Sequence, residues 1–172
     1  MASHWGKLTD EGDIGMVQYL DAMIQSMDEK SDCLKRLLDM TAHQEKALAG
    51  EVIDWDAFDR LIDEKEMVID RLGELDDGFQ AIFDKIRDEL EGKKAQYKGQ
   101  IAKLQMQIRQ VTDQSNALIA AEQRNKTLME NATSMERKRI RQTRTNARVA
   151  SNYYNSMNRI NLIDPQLMDK KK

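Results

Sequence analysis

Proline occurs once in these 172 residues, at position 165, so nothing upstream of it forces a helix to kink or stop. Of the eight glycines, Gly6, Gly12 and Gly15 crowd towards the N-terminus. Long helices are therefore the default, with Gly50 and Gly92 as the natural interruptions.

The apolar residues are placed accordingly. Met16, Leu20, Met23, Met27, Lys30, Leu34, Leu37, Thr41, Gln44 and Leu48 follow one another at alternating spacings of four and three, and seven of the ten are apolar. Such a stripe drifts slowly around a helix and buries one face against a neighbour. It predicts a first helix over residues 14–49, ended by Gly50 in a left-handed cap. Asp54 then stands where its carboxylate can accept from the free N–H groups of a second helix, and Asp56 where the helix dipole favours an acid. That helix carries Leu61, Lys65, Val68, Leu72, Leu75, Phe79, Ile82 and Ile86, widened by Phe58, Ile62, Ile69, Phe83 and Leu90. Gly73 and Gly78 each cost about 1 kcal/mol in a helix interior and leave room for a bend between them.

A third stripe runs Tyr97, Ile101, Leu104, Ile108, Val111, Ser115, Leu118, Glu122, Asn125 and Met129. It starts apolar and turns polar, so order is expected to weaken from about Glu122 onward. Residues 137–148 then hold six bases and no acid, and the apolar residues beyond them show no helical period before Asp164-Pro165 and the closing lysines. The expected fold is all-α, an elongated antiparallel helical bundle or coiled coil of three long helices. Residues 1–13 form a disordered N-terminus, 14–135 the bundle, and 136–172 a partly disordered basic and apolar tail, flexible until bound.

Charge divides along the chain. Residues 1–91 carry 24 acids against 10 bases, and residues 92–172 carry 17 bases against 6 acids. The simplest consequence is that the basic last helix packs antiparallel on acidic partners within the bundle; a basic face for an acidic partner is compatible with it. Only 5% of residues are aromatic, which fits a slim bundle better than a thick globular core.

The sequence shows no catalytic constellation. His4 and His43 each lack a glutamate three residues before them, so the paired motifs of di-iron bundles are absent, and one cysteine with two histidines cannot build a zinc site. Glycine loops for phosphate and glycine-flanked serine nucleophiles are missing too. No cofactor is expected, and Cys33 reads as a small semi-buried filler. The N-terminus lacks the apolar region of a signal peptide and no segment is long and apolar enough to span a bilayer, so a cytoplasmic location is expected. Eleven methionines can supply adaptable contact surfaces, Met129, Met135, Met157 and Met168 among them, where the stripe fades.

Two stretches resemble a known family. Ala47-Leu48-Ala49-Gly50-Glu51-Val52-Ile53-Asp54, leading through Leu61-Ile62-Asp63-Glu64-Lys65-Glu66 to Arg71-Leu72, is similar to the first helix junction of flagellar export chaperones of the FlgN/FliT type. Gln123-Arg124-Asn125-Lys126-Thr127-Leu128-Met129 resembles that family's asparagine followed by paired large aliphatic residues on the last helix. The resemblance covers about residues 16–135. It implies a non-enzymatic chaperone that binds the helical ends of hook-filament junction or filament cap proteins, prevents their premature assembly and docks on the export apparatus. By the same analogy the partner contacts fall on Leu118, Asn125, Leu128 and Met129 of the last helix. In the tail they fall on Tyr153, Tyr154, Met157, Leu162, Ile163, Leu167 and Met168. The basic run has no counterpart in the family pattern.

Two other readings compete. The stripes could serve self-association in a homo-oligomeric coiled-coil structural protein. The six bases could contact nucleic acid or an acidic membrane, but the chain is net acidic and carries no base-reading motif, so neither nucleic-acid binding nor membrane insertion is expected.

Overall fold

The computed structural model describes the backbone of residues 2–135 and 140–157, and the side chains of residues 15–135 and 148–157. Among the described residues there are four helices and no strand: α1 (Ala2–Ala49), α2 (Trp55–Glu91), α3 (Lys98–Met135) and α4 (Ile140–Met157).

The spacing of four and three in α1 explains its burial. Met16, Leu20, Met23, Met27, Leu34, Leu37 and Leu48 all lie in the core. The three polar members of the stripe are buried as well, and each has a partner on another helix. Lys30 reaches Asp76 at 2.5 Å, the Thr41 hydroxyl lies 2.7 Å from Glu122, and Gln44 donates to the Phe58 carbonyl at 3.2 Å. Burying such groups is tolerable only because each is hydrogen-bonded.

These contacts fix the directions of the helices. Lys30 with Asp76 and Gln44 with Phe58 make α1 and α2 antiparallel, whereas Gln107 with Ile24 and Asn125 with Thr41 make α1 and α3 parallel. Helix α1 packs along both α2 and α3, and α4 packs on the same two helices.

Asp54 caps α2 as its position predicts: its Oδ1 accepts from the Ala57 N–H at 3.0 Å. Gly50 departs from expectation. No described glycine has a positive φ, so α1 does not end in a left-handed cap. A side chain at Gly50 would instead place its Cβ 3.2 Å from the Val52 carbonyl oxygen, and the tight return towards α2 favours glycine for that reason. Gly73 and Gly78 interrupt nothing, because α2 runs unbroken through both.

Three further expectations are corrected. Among the described residues the helices number four, not three. The backbone of α1 is already helical from Ala2, ahead of residue 14; isolated glycines cost only about 1 kcal/mol each and do not stop a helix by themselves. Order does not weaken at Glu122, since α3 continues to Met135 with Glu122 and Asn125 buried and hydrogen-bonded.

Helix α4 forms because Val149, Ala150, Tyr153, Tyr154 and Met157 recur at helical spacing after all. Ala150, Tyr153 and Met157 join the hydrophobic core, with Val149 and Tyr154 packed beside them. This part of the expected tail therefore lies inside the bundle.

Candidate functional site

The site is a layer where all four helices meet. From α3, Glu122 enters the core with only 3% of its surface exposed. Its Oε1 accepts hydrogen bonds from Lys65 of α2, from the Tyr153 hydroxyl of α4 at 2.6 Å, and from the Thr41 hydroxyl of α1, at 2.7 Å. Thr41 lies equally close to the Leu37 carbonyl, so its single proton is shared between two acceptors. Lys65 is fully buried; its ammonium also donates to Gln44 Oε1 at 2.7 Å and stands 4.1 Å from the centroid of the Tyr153 ring. That distance is a cation–π contact in a desolvated setting. Asn125, one turn beyond Glu122, donates to the Thr41 carbonyl at 2.9 Å.

Charge inside this layer is costly, and the titration of its members records that cost. Burial lowers the Lys65 pKa to about 8, against the attraction of Glu122. Burial also pushes the Tyr153 phenol far above its ordinary value, with the Glu122 charge acting in the same direction. Tyr154 is raised too, first by burial and then by Glu122 and Glu130. Both tyrosines therefore stay protonated, and Tyr153 remains a donor.

The Lys65 shift sets a pH dependence. In the unfolded chain its pKa returns to the ordinary 10.5, so between pH 8 and 10.5 the folded state holds fewer protons than the unfolded one. Stability from this group therefore rises as pH climbs through that window and is flat below it. Urea midpoints at pH 7.5 and 10 for wild type and Lys65→Met are expected to differ by an amount that shifts in favour of wild type at the higher pH. An equal difference at both values would show that Lys65 is solvated.

On the α3–α4 side the layer is incompletely satisfied. Glu122 Oε2 and the Tyr154 hydroxyl are buried without a hydrogen-bond partner. Lys126, Met129, Glu130, Thr133 and Ser151 line a cleft of about 280 Å³ between α3 and α4.

The structure brings most of the sequence-selected residues together, but facing inward. Leu118, Asn125, Met129, Tyr153 and Met157 are buried, and Leu128 and Tyr154 are half-buried against the same core. All belong to the α3–α4 side of the bundle and none offers an open surface. Leu162, Ile163, Leu167 and Met168 lie outside the described residues, as do the side chains of residues 137–147 in the basic run; Arg148, at its end, is exposed. Met135, at the end of α3, is 86% exposed. Sequence reasoning missed Thr41, Gln44, Lys65 and Glu122 as a group. Their signal was present, since each is a polar residue at an apolar-stripe position.

Cys33 is buried, and burial raises its thiol pKa, with Glu29 adding to the effect. Among the described residues no group of three His, Cys, Asp or Glu side chains is placed to hold a metal ion, and no helix is long and apolar enough to cross a membrane.

These features define the class: an all-helical bundle whose distinctive chemistry lies at the contact of its last helix with the others. The family model for FlgN protein matches residues 16–159, and the chain belongs to that family. Its members are flagellar export chaperones that bind flagellar proteins. No curated protein and no solved structure matches the chain.

Proposed function

We propose that this chain is a cytoplasmic flagellar export chaperone. It shelters the helical end of a hook-filament junction protein or of the filament cap protein, prevents its premature assembly, and delivers it to the export apparatus. Family membership supports the general role. The observation that supports the mechanism is that Leu118, Asn125, Leu128, Met129, Tyr153, Tyr154 and Met157, all on α3 and α4, are buried or half-buried in the bundle.

An amphipathic client helix binds by laying its apolar face into a groove between helices. Here that groove is occupied by α4, so α4 leaves its seat when a client helix enters between α2 and α3. Leu162, Ile163, Leu167 and Met168, which lie outside the described residues, add further apolar contacts to the client. Exchange of one amphipathic helix for another conserves most of the buried apolar area, which keeps its net cost small.

Calorimetric titration of the purified full-length chain with purified junction and cap proteins from the same source tests the reading. Binding of at least one of them, lost when its terminal helical segment is removed, is the expected result. If none binds and sedimentation shows a stable homodimer, the coiled-coil assembly reading replaces it.

A further inference from the structure

The Glu122 layer also constrains what can replace α4. Any helix that takes this seat buries Lys65 and Glu122 again. Stripping water from an ion pair is repaid only where the new neighbours restore the lost hydrogen bonds and charge contacts. Helix α4 does this with a single side chain: the Tyr153 hydroxyl donates to Glu122 Oε1 at 2.6 Å while its ring covers the Lys65 ammonium at 4.1 Å. On the same face, Ala150 three residues earlier and Met157 four residues later are buried to 0% and 4% exposure. The small residue permits close approach, and the methionine fills the core beyond the ring.

We infer that the seat of α4 selects a client helix bearing a tyrosine opposite Glu122 and Lys65, with a small residue three positions before it and a methionine or large aliphatic residue four positions after it. This inference rests on the proposed exchange of α4 for a client helix and adds its recognition rule. Phenylalanine at the central position keeps the ring over Lys65 but withdraws a donor from a buried carboxylate. Leucine withdraws both. Affinity therefore falls in the order tyrosine, phenylalanine, leucine. The first step is about tenfold or more, since a hydrogen bond to a charged group is stronger than one between neutral groups.

The test uses the full-length chain carrying Tyr153→Ala, which loosens its own α4 and leaves Lys65 and Glu122 in place. Fluorescent 18-residue peptides of the α4 sequence, with tyrosine, phenylalanine or leucine at the central position, are titrated against it, with helix content checked by circular dichroism. The predicted order, with at least a tenfold gap between tyrosine and phenylalanine, supports the rule. Equal binding of the tyrosine and phenylalanine peptides overturns the rule while the exchange stands. No binding of any peptide to a helical chain overturns the exchange and the rule together. A second measurement needs no loosened chain: amide hydrogen exchange across α4 is expected to be about tenfold or more faster in full-length Tyr153→Phe than in wild type. Unchanged exchange overturns the role of the hydroxyl.

Discussion

Replacing Glu122 by alanine destabilises the protein by about 3–5 kcal/mol, because it leaves the Lys65 ammonium buried with no opposite charge. Lys65 has no exposed surface through which to recruit water, and its other contacts are the neutral Gln44 amide and the Tyr153 ring. The Tyr153 and Thr41 hydroxyls lose their acceptor in the same step. Urea denaturation measures the change. The companion variant isolates the cause: Lys65→Met combined with Glu122→Leu removes both charges and recovers most of the loss, since a buried ion pair is often replaceable by apolar groups of similar volume. A cost below about 1 kcal/mol for Glu122→Ala would mean that water reaches the layer.

Leu118→Ala is expected to cost about 2–5 kcal/mol, the range for removing a buried leucine side chain and leaving a cavity. Leu118 has 0% exposure, one turn before Glu122 on α3. Met135→Ala, on the same helix but 86% exposed, should change stability by no more than about 0.5 kcal/mol. The pair bears on function as well. In the unliganded chain Leu118 is a core residue, so its truncation weakens client binding partly by loosening the bundle. Comparable losses for the two variants would show that the end of α3 is packed in solution against something further.

The apolar stripe of α1 was legible because each of its seven apolar members faces the core, and its spacing needs no knowledge of the neighbours. The cap at Asp54 was legible for the same reason: Asp54 and Ala57 are three residues apart in the chain. What the stripes could not convey was the meaning of their polar members. Lys30, Thr41, Gln44, Lys65 and Glu122 look like losses of core when each helix is taken alone. Their partners lie 14 to 81 residues away, and only the assembled bundle brings them into reach.

Helix α4 was hidden by a different effect. Its N-terminal half lies in a run of six bases, which suggests a solvated segment, and its apolar face is short. Helices in proteins draw most of their stability from tertiary packing, which α4 gains only when Ala150, Tyr153 and Met157 find a groove. The sequence-selected residues of α3 and α4 were expected to face a partner. Three-dimensional packing turns them inward.

The central claim is that α4 must leave its seat for a client helix to bind. Cysteines in place of Thr133 on α3 and Ser151 on α4, which line the same cleft, allow a reducible bis-maleimide bridge across the seam. The native Cys33 is buried and resists labelling. With the bridge closed, capture of the junction or cap protein should be lost, and cleaving the bridge with a reductant should restore it. Equal capture by the bridged and cleaved forms would contradict the account, because it would show that clients bind with α4 still in place.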